Sequence, residues 1–181
     1  CKIVQLRDKV SNRNQLYRKA RQFRQVTREC GMLLIINDHV DIAMAVDADG
    51  VHLGQEDFPV AAARRLLPDK LIGVSCHSLV EAVLAKQDGA DYYNIGPIFS
   101  TSTKEHLSNF LGVDAIRQIG REVDLPFTVM GGINRNNIEE VLRAGARHVA
   151  VVSAVTAADN VIEAAKELRE IIQSYHTSSS E

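Results

Sequence analysis

Short apolar or β-branched runs alternate along the chain with longer stretches in which apolar residues recur at helical spacing. The runs at residues 2–6, 32–36, 50–53, 71–74, 92–95, 127–130 and 148–152 carry apolar side chains on both faces, as strands buried in a parallel sheet do. Between them the pattern predicts helices over residues 15–29, 40–46, 60–67, 79–87, 113–122, 136–144 and 161–173. The triplets Ala48-Asp49-Gly50, Gly89-Ala90-Asp91 and Gly145-Ala146-Arg147 close a helix and open the next strand, and glycine ends a helix at low steric cost. The result is a series of βα units with a spacing of roughly 25 residues.

Two α/β architectures fit such a series. An open doubly wound sheet concentrates its ligand at one phosphate loop and one switch point. Here polar clusters follow nearly every strand, which favours a closed (β/α)8 TIM barrel that gathers its site at the C-terminal face. Seven units are visible where a barrel has eight, and the first run begins at the start of the chain. The expectation is therefore a barrel lacking its first β-strand and helix. One domain is expected over residues 1–174, followed by a polar tail over 175–181.

Composition narrows the function. With 21 basic against 23 acidic residues the net charge is −2, which speaks against a nucleic-acid partner or an anionic membrane surface. Aromatic content is 5% and Trp is absent, so base-stacking platforms are not expected. Cys1, Cys30 and Cys76 form no CxxC pair, which fits reduced thiols in a cytoplasmic protein. No run approaches the roughly 18 apolar residues of a membrane span.

The chemistry sits at the predicted strand ends. Alternation puts Gln5, Arg7 and Lys9 on one side, away from Leu6 and Asp8. One amide and two cations suit a polyanionic substrate, against the plainer reading of solvated loop charges. Asp38 follows the second strand and Asp57 the third, close enough to share one ion. Two carboxylates completed by phosphate oxygens and waters are what Mg²⁺ prefers, although each aspartate alone could cap a helix. Ser75 lies directly at the fourth strand end. The fifth strand runs into Gly96-Pro97-Ile98-Phe99 and then a long polar loop with Thr101, Thr103 and Lys104. Gly131-Gly132 follows the sixth strand and Val152-Ser153 ends the seventh, positions where many barrels bind phosphate through backbone amides. Two anion sites are expected across one mouth: a metal-assisted cationic one (Arg7, Lys9, Lys104, Asp38, Asp57) and an amide one (Gly132, Val152, Ser153).

These motifs resemble those of the thiamine-phosphate synthase family. The matching segments are Gln-Leu-Arg-Asp-Lys at 5–9, Asn-Asp at 37–38, Gly-Val-His-Leu-Gly-Gln-Glu-Asp at 50–57 and Gly-Val-Ser-Cys-His-Ser at 73–78. Gly-Pro-Ile-Phe at 96–99, Thr-Ser-Thr-Lys at 101–104, Gly-Gly-Ile at 131–133 and Val-Ser-Ala at 152–154 complete the set, in order along the whole chain. Ser100 stands where proline is common in the family, and residues 105–110 match no family pattern.

The resemblance implies a transferase that joins hydroxymethylpyrimidine pyrophosphate to hydroxyethylthiazole phosphate, giving thiamine phosphate and pyrophosphate with Mg²⁺ as cofactor. It implies Arg7, Lys9, Asn37 and Lys104 on the pyrophosphate and Asp38 and Asp57 on the metal. It further implies Gln5, His52, Ser75 and Thr101 around the pyrimidine, and Thr103, Gly132, Val152 and Ser153 on the thiazole phosphate. Partners would be these small molecules, with no nucleic acid and no membrane, and a homo-oligomer is left open. The alternatives are a thiazole tautomerase, which would use His77 but lose the aspartate motifs, and a non-catalytic phosphate-ligand binder, suggested by the incomplete barrel.

Overall fold

The structure is a computed structural model and describes residues 1–100 and 110–178. It divides into two compact units, Cys1–Ser75 with Leu84–Tyr92, and Cys76–Val83 with the described residues from Tyr93 onward.

In the first unit, β1 (Ile3–Leu6), β2 (Leu33–Asn37), β3 (Gly50–Leu53) and β4 (Leu71–Cys76) pair in parallel and in chain order. The register sets Leu6 beside Ile36, Asn37 beside His52, and His52 beside Gly73. Leu34, Ile35 and Ile36 are all buried, so β2 is covered on both faces, as its unbroken apolar run requires. Helix α1 (Arg13–Glu29) begins at an Asn12–Gln15 capping box and buries Leu16, Ala20 and Thr27 along one stripe. The shorter α2 (Val40–Ala45) and α3 (Val60–Leu66) follow β2 and β3; α4 (Leu79–Gln87) follows β4, and only its part from Leu84 belongs to this unit.

The Ala-Asp triplets do more than end helices. Asp49 accepts the Leu34 N–H at 2.7 Å and pairs with Arg24 of α1. Asp91 accepts the Ile72 N–H at 2.7 Å and pairs with Arg64 of α3. Each aspartate thus ties the start of one strand to the start of its predecessor and to a helix.

The second unit continues with β5 (Tyr92–Ile95), α5 (Asp114–Glu122), β6 (Phe127–Val129), α6 (Ile138–Arg143), α7 (Ser153–Thr156) and α8 (Val161–Ser178). β5 and β6 are parallel, with Tyr93 beside Phe127 and Ile95 beside Val129. Their core is Tyr93, Ile95, Ile98, Ile116, Val129, Ile138 and Leu142. The Tyr93 and Phe127 rings stack at 5.6 Å over the space left by Gly120.

Three expectations need correction. The strand expected over 148–152 is a single bridge, Val149 to Val129, flanked by hydrogen bonds of 2.9–3.1 Å. Its triplet carries Arg147 where Asp49 and Asp91 stand in the other two, so no carboxylate grips the preceding strand. The helix expected from 136 starts at Ile138, because Asn134 and Asn137 fold the preceding turn with their side chains (Asn134 N–H to Asn137 Oδ1 2.8 Å, Asn136 N–H to Asn134 Oδ1 2.9 Å). Residues 175–178, read as the start of a tail, continue α8.

Candidate functional site

The first unit assembles its polar groups just past the ends of β1 to β4. Gln5, Arg7 and Lys9 are exposed while Leu6 is buried, and Lys9 ion-pairs with Asp38. Asp38 occupies the left-handed region at φ +64°, in a turn closed by the His39 N–H on the Asn37 carbonyl at 2.8 Å. Its own N–H donates to the His52 carbonyl at 2.8 Å. Few side chains other than asparagine and aspartate enter this region at modest cost, and the turn lifts the carboxylate off the end of β2. Asn37 stays in the strand beside His52.

Asp57 sits in the turn after β3, where its Oδ2 accepts the Gly54 N–H at 2.7 Å. A Cβ on Gly54 would stand 2.9 Å from that oxygen. The Asp57 carboxyl lies within hydrogen-bonding reach of Asp38. Burial first, and then Asp38, raise it above the usual carboxylate range, against the opposing Gly54 N–H and Lys9. Two half-buried carboxylates that repel one another form a donor set that a divalent cation relieves. The residues therefore fit a hard, oxygen-liganded ion. Among the described residues no group of three or more His, Cys, Asp or Glu side chains could hold a metal.

His52 is 5% exposed. Its Nε2 meets Ser75 Oγ at 2.9 Å and its Nδ1 meets the Tyr92 hydroxyl at 3.1 Å. Gln55 donates to the Ser75 carbonyl at 2.7 Å. Ser75 is thus oriented by two neighbours from β3 and its loop. Burial pushes the Tyr92 phenol well up, so it stays protonated and available as a donor.

In the second unit Gly131 (φ +103°) and Gly132 (φ +65°) follow β6. The Phe99 N–H donates to the Gly131 carbonyl at 3.0 Å. A Cβ on Gly132 would collide with the Ser100 carbonyl oxygen and stand 2.9 Å from Phe99 Cβ. The Gly132 carbonyl is taken by the amides of Asn134 (3.2 Å) and Asn137 (3.0 Å), while its N–H has no partner among the described residues. Val152, 44% exposed, caps α7, and Ser153 begins it. Cys76 is buried with its thiol pushed up to about 12, first by burial and then by Glu81, which keeps it protonated at neutral pH. Thr101, Thr103 and Lys104 lie outside the described residues.

Sequence reasoning missed Tyr92, Gln55 and the Asp8–Lys19 pair (2.6 Å). Only Gly73 hinted at Tyr92: a Cβ there would strike the tyrosine ring, so the glycine leaves room for it. Nothing in the sequence pairs Asp8 with a residue eleven positions on.

Parallel strands followed by helices, with polar side chains gathered past their C-terminal ends, make this an α/β enzyme scaffold. The thiamine monophosphate synthase family model matches residues 1–155. The thiamine-phosphate synthase of Chloroflexus aurantiacus is 51% identical over 170 residues, 94% of this chain and 79% of that protein. Among solved structures, the thiamine phosphate pyrophosphorylase from Pyrococcus furiosus superposes with TM-score 0.89 at 40% identity, covering 96% of this chain and 83% of that one. A 3-hexulose-6-phosphate synthase aligns at TM-score 0.70 and 20% identity, over 93% of this chain and 86% of that one, and shares the fold alone. The chain belongs to the thiamine monophosphate synthase family, and is an enzyme of the transferase class.

Proposed function

We propose that the chain is a thiamine-phosphate synthase that joins hydroxymethylpyrimidine pyrophosphate to hydroxyethylthiazole phosphate and releases pyrophosphate. The observation that carries the reading is the Asp38–Asp57 carboxylate pair beside Lys9, set within the family's ordered motifs. Arg7, Lys9, Asn37 and Lys104 would hold the pyrophosphate, and Asp38 and Asp57 would hold Mg²⁺. When bound, the ion would neutralise charge that builds on the departing pyrophosphate. Gln5, His52, Ser75 and Thr101 would surround the pyrimidine, with Ser75 oriented by His52. Thr103, Gly132, Val152 and Ser153 would take the thiazole phosphate.

The step fits these groups in kind. The C–O bond to pyrophosphate breaks first, and the thiazole nitrogen then forms the C–N bond to the pyrimidinylmethyl carbon. No general base or covalent nucleophile is required. What the chain must supply is fixed charge on the leaving group and exclusion of water. The fold expectation that accompanies this reading is a (β/α)8 barrel lacking its first β-strand and helix, and the parallel chain-order strands and alternating helices are what support it.

Incubation with both substrates and Mg²⁺ should yield thiamine phosphate and stoichiometric pyrophosphate, and a chelator should stop it. Thiamine phosphate formation that persists with Asp38→Ala and without Mg²⁺ would remove the metal role of the aspartate pair, and no thiamine phosphate formation by the unaltered protein would remove the synthase reading. Binding of both ligands without pyrophosphate release would instead leave a non-catalytic binder.

A further inference from the structure

The loop between β1 and α1 carries Arg7 and Lys9, yet little apolar burial holds it. Val10 at its tip is 96% exposed. Its order comes from Asp8. Asp8 Oδ1 accepts the N–H groups of Val10 (3.0 Å) and Ser11 (2.9 Å), and Oδ2 takes Lys19 Nζ of α1 at 2.6 Å. Lys19 Nζ also donates to Ser11 Oγ at 2.9 Å, and the next residue, Asn12, caps α1. Lys19 is itself well placed, since its neighbour Ala20 is fully buried and Leu16 nearly so.

An aspartate between two cations that serve a polyanion is, taken alone, electrostatically wrong. We propose that Asp8 is a positioning residue: clamped to Lys19, it fixes the β1–α1 loop so that Arg7 and Lys9 are presented together, with Lys9 delivered to Asp38. The inference rests on the synthase reading. It adds a role for a side chain whose carboxylate oxygens are taken by Lys19 and the Val10 and Ser11 N–H groups. Lys19 first, and then the Ser11 and Val10 N–H groups, hold the Asp8 carboxyl well below the usual range, so the clamp stays charged at neutral pH.

Charge logic makes the test sharp. Asp8→Asn removes a negative charge near a polyanion site, and Lys19→Met removes a positive one. Acting only through space, the first would tighten pyrophosphate binding and the second would weaken it. Positioning predicts that both weaken it. Calorimetric titration with inorganic pyrophosphate and Mg²⁺ should show a loss of about fivefold to tenfold for each variant. KM for the pyrophosphate-bearing substrate should rise in parallel, while KM for the thiazole phosphate stays within about twofold. Lys19→Arg should stay within about twofold of the unaltered protein. Tighter or unchanged binding by Asp8→Asn would overturn the proposal, as would an equal loss for both substrates with a lowered melting temperature. If the unaltered protein neither binds pyrophosphate nor releases it from substrate, the synthase reading itself falls, and this proposal with it.

Discussion

The first unit presents its chemistry through side chains, and the second presents it through the backbone. Past β1 to β4, Lys9, Asp38, Asp57, His52 and Ser75 are each held by a named partner and contribute charge or a hydroxyl. Past β6, what distinguishes Gly131 and Gly132 is their positive φ and the absence of a Cβ where residues 97–100 pass close by. Side-chain sites fail by loss of a group. Backbone sites fail by loss of a conformation. The two units should therefore respond differently to substitution, in both activity and stability.

The largest effect belongs to the first unit. Asp38→Asn keeps a residue type that tolerates φ +64° and removes only the charge. kcat/KM should fall about 10³-fold, with melting temperature changed little in chelator. A loss confined to stability would mean that Asp38 serves its turn rather than a cation.

Gly132→Ala is the counterpart in the second unit. It places a Cβ against the Ser100 carbonyl oxygen in a left-handed residue, so denaturant unfolding should show a loss of about 2–4 kcal/mol. Binding of inorganic pyrophosphate with Mg²⁺ by the folded fraction should be unchanged. If stability holds and only activity drops, the glycine is there for ligand approach alone.

The same contrast governs what was legible in the sequence. Strands β3 and β5 and helix α4 were placed to the residue, because apolar runs and the glycine that closes α4 mark them without tertiary help. The run at 148–152 reads as a strand equally well. It reaches only a bridge, and its triplet carries Arg147 where Asp49 and Asp91 each accept a backbone N–H of the preceding strand. At the site, alternation was enough to set Gln5, Arg7 and Lys9 apart from Leu6 and Asp8. The use of Asp8 was not readable, since its partner lies on the next helix and nothing local announces the pair. Tyr92 was hidden for the same reason: its role is a contact with His52, 40 residues earlier.

A smaller and opposite effect is expected at Asp57. Its folded-state carboxyl is raised by burial and by Asp38, so its ionisation disfavours the native state. The carboxyl contributes stability fully below its unfolded value of about 3.9, and loses it as pH rises through the folded value. Asp57→Asn should therefore raise the melting temperature at neutral pH in chelator, while activity is lost. The gain should shrink as pH is lowered towards 4. Mg²⁺ should raise the melting temperature of the unaltered protein but not of the variant. A variant that is less stable at neutral pH would show that the pair repels too weakly to call for a cation.

The smallest effect should come from Ser153→Ala, and it tests the comparison most directly. Ser153 is exposed at the start of α7, and its hydroxyl has no hydrogen-bond partner among the described residues. If the second unit holds phosphate through amides, removing that hydroxyl leaves the donor in place. KM for the thiazole phosphate should then rise by no more than about threefold, the worth of one weak exposed hydrogen bond. kcat and pyrophosphate binding should not move. A tenfold or larger rise would make the second site a side-chain site like the first. The division between a charge-built half and a backbone-built half would then be wrong.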